Sequence, residues 1–203
     1  MLITVDPEYP NMKRVANAAR ILRAGGLLAY PTDTTYGIGA DPFQPKAVAL
    51  LFNETSRSPK KPASLLCADL KMIGHYAVIS DRIFRAMRRT LPGPYTFILP
   101  AKNTVPRGMH GKRREVGIRM PEHPIVQALI AALGTPILNL SARDPENHYL
   151  DDAREIEALW GERISAVLDC GPITPQESTV IDLIEDTPVL LREGLGDPAP
   201  YLS

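Results

Sequence analysis

Runs with a helical period alternate with short apolar, strand-like runs along the whole chain, and no linker, repeat or low-complexity segment interrupts them. That alternation restricts the fold more than any other feature. It demands helices packed on a sheet, in an α/β or α+β single domain over residues 1–203 with a twisted mixed sheet. Residues 11–24 read as a helix, with Val15, Ala18, Ala19 and Leu22 on one face and Gly25-Gly26 as its stop. Residues 27–30 read as a short strand that Pro31 breaks. Further helices fall over 45–52, over 80–89, over 124–133 with Gly134 as its end, and over 151–160. In the second of these, Ser80 caps the helix, Ile83, Phe84 and Met87 point inward and the arginines point outward. Strands fall over 64–67, 95–99, 115–119, 136–140, 167–169, 179–183 and 189–192, while residues 143–150 are the most loop-like.

A chain of 203 residues buries well over half of its unfolded surface and needs no covalent staple. Cys67 and Cys170 are too few for a disulfide framework or a thiolate cage, which fits a reduced, cytoplasmic setting. Residues 1–10 lack a secretory pattern, and no apolar run approaches the ~20 residues of a membrane helix, so no membrane partner is expected. The net charge of zero hides an uneven distribution. Ten basic residues face one acidic residue between positions 82 and 119, whereas 14 acidic residues face three basic ones from 144 to 203. Either the basic stretch recruits a polyanion or a phosphate-bearing ligand, or the two regions neutralise each other across one fold or a dimer.

The segment Tyr30-Pro31-Thr32-Asp33-Thr34-Thr35-Tyr36-Gly37 sets three hydroxyls and a carboxylate directly after a strand, a composition suited to cradling a small polar substrate. The competing reading is a turn whose side chains bond only their own backbone. The loop from Thr55 to Pro62 gathers Arg57, Lys60 and Lys61, which suit phosphate or a solvated surface equally. No glycine-rich phosphate loop is present. The histidines at 75, 110, 123 and 148 show no metal-ligand spacing. Cys67 reads as a small core residue, Trp160 as a core or edge anchor, and Ser141 and Ser178 have no visible triad partners.

In order along the chain, Tyr30–Gly37, Leu91-Pro92-Gly93-Pro94-Tyr95-Thr96, Val116-Gly117-Ile118-Arg119-Met120-Pro121 and Gly134-Thr135-Pro136-Ile137 resemble motifs of the YrdC/YciO family. Ser178-Thr179-Val180-Ile181-Asp182-Leu183 and Leu191-Arg192-Glu193-Gly194 continue the series. The best-understood members are threonylcarbamoyl-adenylate synthases, which join L-threonine, bicarbonate and ATP into threonylcarbamoyl-AMP and pyrophosphate, a step towards a modified adenosine in tRNA. The resemblance implies a YrdC-like fold with a concave basic face. It also implies ATP with Mg²⁺ as substrate, Thr34 and Arg119 on threonine, and Arg57, Ser141, Thr179 and Arg192 towards the nucleotide.

Two departures stand out. The synthases' Lys-x-Arg motif reads Thr55-Ser56-Arg57 here, and their Ser-x-Asn reads Ser141-Ala142-Arg143. Loss of a lysine beside the phosphates raises the barrier by about 3 kcal/mol unless another cation replaces it. The length and the ending Arg192-Glu193-Gly194-Leu195-Gly196-Asp197 look most like the YciO branch. A second function, of a different class, follows from the charge. A non-catalytic double-stranded RNA-binding protein, with tRNA or another duplex as partner, would use Arg85, Arg88, Arg89, Lys112, Arg113 and Arg114.

Overall fold

The first helix begins where a side chain can start it. In the computed structural model, which describes residues 1–54, 63–106, 109, 114–185 and 187–202, the Asn11 carboxamide accepts from Lys13 and Arg14 N–H at 3.0 and 3.3 Å. These bonds satisfy two orphan donors of a helix N-terminus. In chain order the elements are β1 (Leu2–Thr4), α1 (Met12–Arg23), β2 (Leu28–Pro31), β3 (Tyr36–Ala40), α2 (Pro45–Glu54), β4 (Ser64–Leu66), α3 (Leu70–Tyr76), α4 (Asp81–Thr90) and β5 (Gly93–Pro100). There follow β6 (Glu115–Met120), α5 (Pro124–Leu133), β7 (Ile137–Ser141), α6 (Ala153–Trp160), β8 (Ala166–Asp169), β9 (Thr179–Asp182), β10 (Val189–Arg192) and α7 (Ala199–Leu202). Among the described residues, no helix is long and apolar enough to cross a membrane.

Among the described residues, ten strands form one mixed sheet in the order β1-β8-β2-β3-β7-β4-β6-β5-β9-β10. Alternate residues feed its two faces. Leu28 and Tyr30 of β2 join one apolar core with the buried faces of α1 and α5, while Ala29 joins the other core with side chains of α2, α3, α4 and α6. The helices α1 and α5 pack on one another over the first face. Each fully buried Leu or Ile there contributes about 1.5–3 kcal/mol.

Five readings are revised. Pro31 does not break the strand but ends it, paired with Tyr36 across a hairpin. Its partner β3 carries no period-2 alternation by which a strand is recognised, because both its faces are buried. Glycines let β3 fit, since a Cβ on Gly37 would sit 2.1 Å from Asn139 Oδ1 and one on Gly39 would sit 2.4 Å from the Tyr30 hydroxyl. Helix α3 gives no clear helical pattern either, being short and interrupted by Gly74; Asp69 caps it through Met72 N–H at 2.6 Å. On α4, Ile83 and Met87 point inward as expected, but Phe84 is 38% exposed, and the Ser80 hydroxyl makes no cap bond.

Candidate functional site

The hairpin between β2 and β3 closes through residues 32–35, and Thr32 organises it. The Thr32 hydroxyl accepts from Thr34 and Thr35 N–H, both at 3.2 Å, and donates to the Thr35 carbonyl at 2.7 Å. For Thr32 the self-bonded turn is therefore the correct reading. Thr34 is different. Its hydroxyl accepts from Arg119 Nη2 at 2.9 Å, and the same nitrogen donates to Asp33 Oδ1 at 2.7 Å. The second Asp33 oxygen accepts from Glu122 N–H at 3.1 Å.

This corner is dry. The side chains of Arg119 and Asp33 are 6% and 9% exposed, and Arg119 Nε is buried with no partner among the described residues. Burial pushes the guanidinium's pKa below the ordinary arginine value, with Asp33 and Tyr30 opposing that shift and Arg192 adding to it. Beneath the turn, the Tyr30 hydroxyl donates to Asn139 Oδ1 at 2.8 Å, and burial drives the phenol's pKa well upward. His123, at the start of α5, uses Nδ1 to accept from Ile125 N–H at 3.3 Å. Burial lowers its pKa, with Asp33 opposing.

A second cluster adjoins the corner. The Thr34 carbonyl accepts from Gln176 N–H at 2.9 Å, which ties the turn to the segment leading into β9. Arg192, at the end of β10, donates from Nε to the Ser178 carbonyl at 3.0 Å, from Nη2 to the Ser178 hydroxyl at 3.1 Å and from Nη1 to Glu177 Oε1 at 3.0 Å. The Ser178 hydroxyl also pairs with that of Thr96 at 2.8 Å. Arg143 lies 3.6 Å from the same Glu177 oxygen, and the Tyr149 hydroxyl donates to it as well.

The residues singled out in the sequence thus divide. Thr34 and Arg119, 85 positions apart, meet directly. Arg192 lies within electrostatic reach of Arg119. Thr179 is fully buried; its hydroxyl accepts from Gly194 N–H at 3.0 Å and donates to the Gly196 carbonyl, so it shapes the 194–196 loop. Ser141 is half-buried at the end of β7, paired with Gly37 of β3. Arg57, Lys112 and Arg113 lie outside the described residues. Arg85, Arg88 and Arg89 are exposed on α4, and Arg114 is exposed and donates to the Asn103 side chain.

Sequence reasoning gave no role to Glu177, Ser178 or Asn139, and named Asp33 only as a carboxylate of the turn, without its partner. For Asp33 a signal existed, since a carboxylate between two motif threonines has to find a cation if it is buried.

Residues 20–194 match the model of the Sua5/YciO/YrdC domain, a family described under telomere recombination. The chain belongs to the Sua5/YciO/YrdC family. It is 34% identical to Escherichia coli YciO, itself uncharacterized, over 98% of this chain and 97% of that one. The crystal structure of that protein superposes with a TM-score of 0.94 over 100% of this chain and 99% of the other. A threonylcarbamoyl-AMP synthase of Coxiella burnetii is 31% identical over 79% of this chain and 87% of its own. Sua5 of P. abyssi, in a crystal structure complexed with L-threonine, is 33% identical with a TM-score of 0.89, over 96% of this chain and 57% of that one. The mixed α/β fold expected from the family is the fold observed.

Proposed function

We propose that the chain binds L-threonine at the Thr34–Arg119 corner and ATP beside it, and joins them with bicarbonate into threonylcarbamoyl-AMP. One observation carries the reading. Arg119 is held by Asp33 and Thr34, yet keeps a buried Nε–H without a partner among the described residues. A buried unpaired donor is unfavourable, and an amino-acid carboxylate would satisfy it with a charge-assisted bond. The relatives named as threonylcarbamoyl-AMP synthases and the Sua5 complex with L-threonine support the same ligand.

In this reading the threonine amine adds to the carbon of bicarbonate, water leaves, and a carbamate forms. A carbamate oxygen then bonds the α-phosphorus of ATP while the bond to the pyrophosphate oxygen breaks. The protein's task is positioning, with Mg²⁺ arriving on the triphosphate as part of the substrate. Arg119 and Thr34 fix the amino acid. Arg192 and Ser141 face the nucleotide, the family motif assigns Arg57 to the same ligand, and Thr179 acts through the 194–196 loop. Incorporation of labelled bicarbonate in the presence of ATP, Mg²⁺ and threonine tests the reading. Label must enter an acid-labile adduct only when all three are present, and no incorporation at any enzyme concentration overturns it.

The exposed Arg85, Arg88 and Arg89 on α4 favour a second reading, sequence-tolerant binding of double-stranded RNA that weakens steeply with salt. Filter binding at two salt concentrations tests it, and salt-insensitive binding or none overturns it.

A further inference from the structure

Arg143 stands where the family's synthases carry an asparagine, and its side chain is drawn into the rim of the site. Its guanidinium lies 3.7 Å over the Tyr149 ring, and Nη1 donates to the Asn147 carbonyl at 2.6 Å. Arg192 is held separately, by the carbonyl and hydroxyl of Ser178. What the two arginines share is Glu177 Oε1, 3.0 Å from Arg192 Nη1 and 3.6 Å from Arg143 Nη2. The Tyr149 hydroxyl points at that oxygen too.

The two kinds of partner differ in permanence. Each cation is anchored by groups other than Glu177, so both stay in place if the carboxylate leaves. The Glu177 side chain is 40% exposed, and water is open to receive it. A single carboxylate oxygen is a meagre acceptor for two guanidiniums and a phenol. A phosphate brings more charge and three acceptor oxygens to the same donors.

We infer that Glu177 is a resident stand-in for an anionic ligand, and that Arg143 and Arg192 form a phosphate subsite from which it is displaced. The ligand class is a diphosphate, either as the outer phosphates of a nucleotide or as free pyrophosphate. The inference rests on the nucleotide reading proposed above and deepens it. Arg143 adds a cation where the family's Ser-x-Asn has none, and Glu177 offsets one of the pair's two positive charges until the ligand arrives.

Calorimetric titration with pyrophosphate and, separately, with ATP tests this on the parent, Glu177→Gln and Arg143→Ala proteins. Glu177→Gln keeps the shape and removes the competing charge, so pyrophosphate must bind several-fold tighter. Arg143→Ala must weaken it by about tenfold, the equivalent of ~1.4 kcal/mol for one charge-assisted contact, with an unchanged melting temperature. If pyrophosphate binding responds to both substitutions while ATP does not bind, the subsite stands and the nucleotide reading falls. If ATP binds the parent and neither substitution alters its affinity or that of pyrophosphate, the subsite falls and the nucleotide reading stands. If the parent binds neither, both fall.

Discussion

The corner at Arg119 and the rim at Glu177 are made from the same pairing, an arginine against a carboxylate, and they differ in how much water reaches them. At the corner both partners are nearly sealed, and Asp33 is held by a backbone N–H as well as by Arg119. At the rim, Arg192 and Glu177 are 38% and 40% exposed. Burial turns the first pair into a fixed part of the fold, because separating the charges leaves one stranded out of water. Exposure makes the second pair exchangeable, since solvent screens it and hydrates either partner alone. One molecule therefore holds a rigid arginine–carboxylate pair beside an exchangeable one.

The largest test of that contrast is Arg119→Ala, which strands Asp33. It must lower stability by about 3–5 kcal/mol in urea unfolding and abolish threonine binding. Joint replacement by Arg119→Met and Asp33→Leu must recover much of the stability and none of the binding, which would separate the structural role from the ligand role. Thr32→Val comes next. It leaves the N–H groups of Thr34 and Thr35 without their acceptor, a loss of about 1–3 kcal/mol. At the rim, Glu177→Ala must change stability by no more than about 1 kcal/mol. A loss there comparable to that of Arg119→Ala would erase the distinction.

A smaller effect is set by pH. His123 borders the corner, and its pKa is held below 6.5 by burial, so the unfolded chain takes up its proton first as pH falls. Its contribution is complete above the unfolded value of 6.5 and is lost as pH falls through the lower folded value. Stability must therefore drop on acidification from neutral pH, and His123→Asn, which preserves an N-cap acceptor, must flatten that slope in thermal melts. The smallest effects belong to Arg85→Ala, Arg88→Ala and Arg89→Ala, each within about 0.5 kcal/mol of the parent. Their consequence, if the RNA reading holds, appears only in the salt dependence of binding.

Local pattern made the helix at 124–133 legible to the residue, because an apolar face, a proline near its start and Gly134 at its end agree. The meeting of Thr34 with Arg119 was legible only through family motifs. Two strands, β7 and β4, lie between β3 and β6 in the sheet, and no local rule carries a side chain across them. Asp33, Glu177 and the partner of Arg143 stayed hidden for the same reason. Asp33 acquires its meaning from Arg119, 86 positions away, and Glu177 from Arg143 and Arg192, 34 and 15 positions away, and composition does not say which segments those are. Phe84 failed differently. A helical period names a face, but only the neighbouring elements decide how wide a stripe of that face is covered.

The order β1-β8-β2 has a consequence for synthesis. The first strand has one neighbour, β8, pairing Leu2 with Val167, and β8 also separates it from β2. During translation at about 5–20 residues per second, the opening strand therefore waits roughly eight to thirty seconds for its partner to be made. Throughout that interval the apolar edges of β1 and β2 are open to other chains. Truncation before residue 166 leaves both strands without the one that joins them.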